Sequence, residues 1–472
     1  MKISLMTRTS LATIGGLLIL SSLSVQFGLS PVWAQTAPSQ TKGSGAKPGV
    51  SRIPSATALG DIFFKSRDSL IFSLGVQESA TNNLYFSPLA VLGVPYESDR
   101  YIPFTTLSAR IAYQRQLQRA SIALDYGLGG LLLREADSGD FLTQDGGIDL
   151  SYQITPRATL TLGDRLSVGP APGRFYRRDL VLAAVTQQVL PNETVFIGLT
   201  RTITNAGFAT FSYEPSRRSQ MTFGANGTIT RFQQRDFSEM NQSGATLTYS
   251  YKAAERTTIS LGYNLTYYDF SGSRTSNSQA AFAGIARSHL AYFGVQHQLT
   301  PSIGAFVQAG PNYVVGNAMS FLGGTAGRPG VRASVNGGLT FGQAISLDPR
   351  TFFSINAGQS ISDGYGLGGM TQTQAAGFSL GRRMTKTLTG AVQTQYSRNK
   401  FLLNLDTQGR PVTTNGASAG VNLSWSFAER ANVFLSHTYL RQLSSGFSTL
   451  LPDHASGHTF VVGLNYHFPL FF

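Results

Sequence analysis

The 472-residue sequence predicts an all-β protein, a single closed antiparallel β-barrel that spans a membrane, and three observations lead to this prediction. Apolar and polar residues alternate with a period of two over most of the chain after about residue 69. Only 13% of the residues are charged, about half the share of an ordinary soluble domain. Short and long connections alternate along the chain. A barrel accounts for all three observations, because lipid covers its outward face and water its inward face.

The beginning of the chain predicts an exported protein. Lys2 and Arg8 precede an apolar stretch at 11–23, and Val32-Trp33-Ala34 stands before Gln35, which is the layout of a secretory signal peptide. Serine and threonine interrupt the apolar stretch, and it is shorter than the roughly 20 residues of a membrane helix. We therefore expect a signal peptide at 1–34, a flexible segment at 35–68 that is too short for a plug domain, and a barrel at 69–472.

Several segments show the alternation clearly. Apolar residues or glycines occupy the odd positions of 331–341, 259–267 and 417–427, and mostly serine, threonine, asparagine or glycine occupies the even ones. Runs of about 9 to 11 residues are long enough for a tilted strand to span a bilayer. These segments predict strands with one face in lipid and the other in water.

The connections predict the number of strands. Tight turns, most of which contain proline, occur at 155–157, 190–192, 214–216, 254–256, 300–302, 348–350 and 429–430. Longer polar segments rich in glycine lie between them at 132–146, 232–243, 271–286, 315–329, 402–414 and 444–456. The alternation of tight turns and long segments after an opening strand near 69–77 predicts about 20 strands. Eighteen is the second choice, because 179–213 leaves very little room for an outer loop.

The C-terminus carries the most specific motif, an alternation of apolar residues that ends in an aromatic residue: Phe460, Val462, Leu464, Tyr466, Phe468, Leu470 and Phe472. In this respect the chain resembles the porin-like families of bacterial outer-membrane β-barrels, whose last strand is recognised by the barrel-assembly machinery. Pro469 departs from their usual pattern. The resemblance implies a place in the outer membrane, short periplasmic turns, longer extracellular loops, and contact with outer-membrane lipid and lipopolysaccharide.

Five charged residues are candidates for the wall of the lumen, because they fall on the polar face of their strands: Arg110, Asp125, Asp149, Arg332 and Arg383. Such side chains either set charge selectivity or pair across strands and fill the interior, and the sequence leaves both readings open. Asp164 is in phase with apolar neighbours instead, so either a bulge at Gly163 turns it inward or the strand leaves the membrane there.

The predicted function is a passive channel for small polar solutes. The net charge of +13 and the 30 arginines among 37 basic residues suggest anionic solutes or contacts with lipid phosphates. The alternatives are export of an exopolysaccharide, a structural or adhesive barrel, and an enzyme. We expect no catalytic site, because no nucleophile motif is present. We also expect no cofactor and no nucleic-acid partner. Asp453, His454 and His458 indicate a polar loop more strongly than a metal site.

Overall fold

A computed structural model describes most of the predicted barrel. The described residues are 68–82, 101–133, 141–170, 201–233, 239–271, 284–300, 303–316, 330–342, 351–363, 370–405, 411–445 and 454–471. The predicted signal peptide and residues 35–67 lie outside these ranges. No helix within the described ranges is long and apolar enough to cross a membrane.

The described residues form eighteen strands. In chain order these are β1 (Asp68–Thr81), β2 (Ile102–Gln116), β3 (Ala120–Leu133), β4 (Phe141–Thr155), β5 (Ala158–Pro170), β6 (Arg201–Ser216), β7 (Ser219–Phe232), β8 (Glu239–Ala254), β9 (Thr257–Ser271), β10 (Gly284–Thr300), β11 (Ile303–Gly316), β12 (Gly330–Gly342), β13 (Thr351–Asp363), β14 (Met370–Arg383), β15 (Leu388–Leu405), β16 (Pro411–Ala428), β17 (Ala431–Ser445) and β18 (His454–Phe471).

The strands form one closed antiparallel ring. Each strand pairs with its neighbours in the chain, and β1 pairs with β18 through residues such as Val76 and Leu464, which closes the barrel. Closure leaves no free sheet edge, as a spanning sheet requires, because lipid offers no hydrogen-bond partners. The fold class is therefore the predicted one.

The count of eighteen corrects the first prediction of about 20 and agrees with the second choice. The two additional strands were expected around the turn at 190–192, which lies outside the described residues. In the structure β5 pairs directly with β6, from Ala158 opposite Tyr213 to Pro170 opposite Arg201. A ladder that is continuous between these strands leaves no place for two further strands.

The connections place the two ends of the barrel. Turns of two to four residues join β2 to β3, β4 to β5, β6 to β7, β8 to β9, β14 to β15 and β16 to β17, all at one end, which we call the short-turn end. The strands have 13 to 18 residues, more than the predicted 9 to 11. They extend into segments that were predicted as loops, and β4, for example, begins at Phe141.

The outward face is apolar around the ring. Large apolar side chains such as Leu107, Ile148, Leu261, Val335 and Val421 point outward and are exposed. Soluble monomers rarely expose apolar patches larger than a few hundred Å², so lipid must cover this surface. An even number of antiparallel strands, short turns at one end and an outward apolar band define the outer-membrane type of barrel. The protein is therefore an outer-membrane β-barrel. In barrels of this type the short turns face the periplasm.

Candidate functional site

The wall formed by β2 to β5 carries a cluster of charged side chains that point into the lumen. Its members, which we call the lumenal charge cluster, are Arg110, Asp125, Asp145, Asp149 and Arg165. The alternation of each strand places them opposite the exposed apolar residues of the outward face. Two arginines and three aspartates give the cluster a formal charge of −1.

Arg165 connects two of the aspartates. Its Nη1 donates a hydrogen bond of 2.8 Å to Asp125 Oδ1, and its Nη2 donates to Asp149 Oδ2. Arg110 Nη2 donates to the other oxygen of Asp125. Asp125 therefore lies between two guanidinium groups, and charge-assisted bonds of this kind are roughly twice as strong as neutral ones.

Asp145 is the least constrained carboxylate of the cluster. Its Oδ2 lies 3.9 Å from Arg110 Nη2, too far for a hydrogen bond, and its side chain is 47% exposed. The side chain of Arg165 is 40% exposed, whereas those of Arg110 and Asp125 are 18% exposed. Asp145 and Arg165 thus present charge to the interior space, while Arg110 and Asp125 pack against the wall.

Three inward glycines provide the space for this cluster. A Cβ atom on Gly127 would lie 2.5 Å from Asp145 Oδ1, and one on Gly163 would lie 2.8 Å from Asp149 Oδ1. A Cβ atom on Gly147 would collide with Arg165 Nη1. Real Cβ atoms essentially never approach other atoms this closely, so a side chain at these positions of β3, β4 and β5 would force Asp145, Arg165 or, at Gly163, the ring of Phe208 to shift.

The structure brings together three of the five predicted lumen residues, Arg110, Asp125 and Asp149. Sequence reasoning missed Asp145, because 132–146 was predicted as a loop, and it also missed Arg165. The alternation of β5 contained the signal for Arg165, since Leu160 and Leu162 on the outward face place it on the inward face. The signal for Asp145 was its distance of four positions from Asp149, because residues an even number of positions apart lie on the same face of a strand.

Arg332 and Arg383 also face the lumen by the alternation of β12 and β14, but they lie apart from the cluster. Arg332 is exposed, and no ion pair involves it among the residues the structure describes. Arg383 is half-buried near the short-turn end. The five predicted residues therefore do not form a single ring.

Away from the short-turn end, the wall of β13 to β16 is closely packed and neutral. A row of hydrogen bonds crosses it, from Thr373 Oγ1 to Asn399 Oδ1 at 2.8 Å and from Asn399 Nδ2 to Thr414 Oγ1 at 3.2 Å. Ser362 Oγ lies 3.1 Å from Thr373 Oγ1. All four side chains are buried. Their polar groups satisfy one another, so this part of the wall is structural.

An apolar cluster lies at the same end, mainly on β8 to β11, and it includes Met370 of β14, with Ile361 and Leu402 packed against it. Met240, Tyr268, Phe270, Ala286 and Val314 point inward, are buried and pack together. The rings of Tyr268 and Phe270 are parallel, with centroids 6.0 Å apart. The lumen thus changes along its length, from a partly exposed charged wall near mid-height to buried polar and apolar packing toward the end opposite the short turns.

Asp164 faces outward. The pairing of β5 with β4 and β6 is regular through Gly163, so no bulge turns Asp164 inward. Asn205 Nδ2 on β6 donates to both carboxylate oxygens, at 3.1 and 3.3 Å. The strand continues to Pro170, so the charge lies on the lipid side in the middle of a strand and is partly satisfied by its neighbour.

His458, one of the two histidines noted in the sequence, forms an outward pair with His437. His437 Nε2 lies 3.1 Å from His458 Nδ1, and the two rings stack. His454 begins β18, and Asp453 lies outside the described residues. Among the described residues, no group of three or more potential ligands that could hold a metal ion occurs.

The last strand has the predicted alternation. Phe460, Val462, Leu464, Tyr466, Phe468 and Leu470 face outward and are exposed, and Phe472 lies outside the described residues. The pairing with β1 slips by one residue beside Pro469, which is opposite Ile71, while Phe471 is opposite Leu70. The irregularity accommodates a proline, which has no N–H for the ladder.

No protein-family model and no curated protein sequence matches the chain. Three solved structures are similar over most of its length. OccAB4 from Acinetobacter baumannii has a TM-score of 0.43 at 10% identity and covers 86% of this chain and 99% of its own. The siderophore receptor PirA from Pseudomonas aeruginosa has 0.39 at 11%, covering 85% and 81%. The FrpB iron transporter from Neisseria meningitidis has 0.45 at 8%, covering 87% and 83%. Similarities at these scores carry no argument about function.

Proposed function

We propose that the protein is a passive channel through which small polar solutes cross the outer membrane. The exposure of Asp145 and Arg165, 47% and 40%, carries this proposal. Both side chains point into a closed ring, so their exposure requires accessible space inside the barrel. Barrels of 16 to 18 strands are wide enough to leave an aqueous channel. Water in this space would solvate the charges and a polar solute alike.

The chemistry of the wall favours polar solutes of low charge. Inward residues of β6 to β11 and β13 to β18 are mostly serine, threonine, asparagine, glutamine and glycine. Examples with accessible side chains are Thr246, Ser250 and Gln296. Hydroxyl and amide groups exchange hydrogen bonds with water and with solutes at little cost, so a hydrated solute meets no strong binding site on this wall.

The described lumen-facing charges are nearly balanced, with a slight positive excess. The basic residues are Arg110, Arg165, Lys252, Arg332 and Arg383, and the acidic residues are Asp125, Asp145, Asp149 and Glu214. Five positive minus four negative charges leave +1. We therefore expect a weak preference for anions over cations, weaker than the +13 net charge of the chain suggests.

Single-channel recording tests the proposal. The mature protein, refolded in detergent, is inserted into a planar bilayer with a salt gradient, and the conductance and reversal potential are measured. We expect stable conductance steps and a reversal potential slightly displaced toward that of the anion. A protein that is folded, as shown by a heat-dependent shift on a gel, and gives no conductance steps contradicts the proposal.

A second candidate is passage of uncharged carbohydrate, and the wall of hydroxyl and amide groups supports it. Export of a polysaccharide is the same candidate function with a long carbohydrate chain as the solute. Liposome swelling with neutral sugars of increasing length separates the two, because a channel for small solutes excludes sugars beyond a few units. Undiminished swelling with long oligosaccharides would favour the polysaccharide candidate.

A further inference from the structure

The strands β14 to β18 contain no acidic residue, whereas most of the first nine strands contain at least one. Three basic residues of these strands lie on the outward face and are exposed, and we call them the outer cations: Arg398, Lys400 and Arg441. No ion pair involves them among the residues that the structure describes. Their charge is therefore available to a ligand outside the barrel.

Strand alternation places the outer cations on the lipid side of the wall. On β15, the exposed side chains of Val392 and Tyr396 lie an even number of positions from both cations of that strand. On β17, the exposed Leu435 has the same relation to the third cation. The neighbouring residues Asn399 and Gln442 have the opposite parity and are fully buried inside the barrel.

Their position along the strands places the outer cations at the far edge of the apolar band. A strand tilted by about 40° crosses the roughly 25 Å band in about 10 residues. Arg398 and Arg441 each lie ten positions beyond the first residue of their strand, which is at the short-turn end. Tyr396 and Tyr439 lie two positions nearer the short turns, and outward tyrosines concentrate at the level of lipid headgroups. In barrels of this type that edge lies in the outer leaflet.

Polar side chains accompany the outer cations on the neighbouring strands. Arg398 pairs with Gln374 of β14 on one side and with Asn415 of β16 on the other. The next outward row repeats this arrangement with Gln372, Lys400 and Thr413. Amide and hydroxyl groups are unfavourable beside hydrocarbon. These rows are therefore suited to a headgroup that offers hydrogen-bonding groups as well as negative charge.

A shallow groove runs from these rows toward the short turns. Its floor is β16, where the outward residues Ala417 and Ala419 carry only methyl groups. Tyr396 of β15 is opposite Ala417, and Tyr439 of β17 is opposite Ala419. Tyrosine side chains project farther from the wall than methyl groups, so they form the two sides of the groove. An acyl chain fits along such a floor.

We infer that the outer cations and this groove bind lipopolysaccharide, the phosphorylated glycolipid of the outer leaflet. Arg398 and Arg441 are about 12 Å apart at their Cα atoms, because two strand spacings and two residues separate them. Each guanidinium can bind one phosphate through two parallel hydrogen bonds. Asn415 lies between the two arginine strands and can bond to a sugar hydroxyl. A headgroup with two phosphates on linked sugars matches this arrangement better than a single phosphate does.

Binding of lipid A, the phosphorylated anchor of lipopolysaccharide, tests this inference. Lipid A, its monophosphoryl form or phosphatidylglycerol is titrated into the full mature chain in detergent, and bound lipids are counted by native mass spectrometry. The cation variant is R398Q/R441Q. The matched control is R115Q/R382Q, which removes two exposed outward arginines near the short-turn end. A heat-dependent gel shift verifies that each variant is folded.

We expect the cation variant to bind lipid A about fivefold more weakly for each arginine removed, and the control to lose much less. Removing one phosphate from lipid A should weaken its binding to the unmodified protein and have little further effect on the cation variant. Unchanged lipid A binding by the folded cation variant overturns the inference, and so does an equal loss in the control. Phosphatidylglycerol binding as tight as lipid A binding would assign the site to anionic phospholipid instead.

A substitution in the groove separates the site from its charge. Ala417→Phe fills the groove without changing any charge, so it should weaken lipid A binding several fold. Ala357→Phe, at an outward alanine of β13 outside the groove, is its control and should have no effect. Equal binding by these two variants contradicts the groove as part of the site. A cation variant that keeps its lipid but changes from oligomer to monomer would show that this face binds a second copy of the chain, and the inference would be wrong.

Discussion

Arg165 Nη1 lies 2.8 Å from Asp125 Oδ1, although forty positions separate the two residues in the chain. β4 lies between their strands, and Gly147 of β4, which pairs with both, leaves the space through which Arg165 reaches Asp125. The bond unites β3 and β5 across a third strand. It also leaves Asp145 as the most exposed carboxylate of the cluster.

Removing the charge of Arg165 should shift the ion selectivity of the channel. Arg165→Gln lowers the lumenal charge by one, so the reversal potential in a salt gradient should move toward the cation. Asp145→Asn removes an exposed carboxylate and should move it toward the anion. Arg398→Gln, on the outward face, is the control and should leave the reversal potential unchanged. A shift of the same sign in both lumenal variants would contradict the assignment of these charges to the pore.

A methyl group at Gly147 should destabilise the barrel. The new Cβ atom would collide with Arg165 Nη1 and lie 3.0 Å from Asp125 Oδ1, so the ion pairs must rearrange. We expect Gly147→Ala to lower the free energy of unfolding by about 1 to 3 kcal/mol. Gly130→Ala, on the outward face of the neighbouring strand, is the control for the change of glycine to alanine itself, because nothing lies within 4 Å of its Cβ position. Urea unfolding in lipid vesicles measures the free energy of unfolding of both variants. Equal values for Gly147→Ala and Gly130→Ala would disprove the steric argument.

Neutralising Asp164 should stabilise the protein in a bilayer. The carboxylate faces lipid, where a charge is unfavourable, and Asn205 is its partner. Asp164→Asn keeps an acceptor for Asn205 and removes the charge, so the free energy of unfolding should rise by about 1 kcal/mol. The comparison is made in vesicles and in water-rich detergent micelles, where the gain should be smaller. A loss of stability in vesicles would mean that the charge has a binding partner in the membrane.

The C-terminal alternation should matter for assembly in the cell more than for stability. Phe468 faces outward near the end of β18, in the motif proposed as the signal for the barrel-assembly machinery. Phe468→Ser should reduce the amount of folded protein in the outer membrane by several fold and leave refolding into detergent nearly unchanged. Asn465→Ser, on the inward face of the same strand, is the control. Equal yields of both variants in cells would exclude the motif as that signal.

Much of the fold was predictable because strand alternation is a local property. The parity of each strand placed Arg110, Asp125 and Asp149 on the lumenal side without knowledge of any neighbour. For Asp164, which parity put in phase with apolar neighbours, the predicted bulge at Gly163 is wrong, because the pairing of β5 is regular there. Turn residues such as Pro156 and Pro215 likewise indicated where strands end, because proline lacks the ladder donor.

By itself, the sequence determined the fold class, the inward or outward side of most strand residues and the position of some tight turns, since each depends on a few adjacent residues. The turns at 117–119 and 384–387 were not among those predicted. The tertiary structure alone decided the number of strands, because only the direct pairing of β5 with β6 shows that no strand lies between them. It also decided which charges meet. Strand register joins Arg165 to Asp125 and Asp149, and register depends on interactions between strands that no local pattern contains.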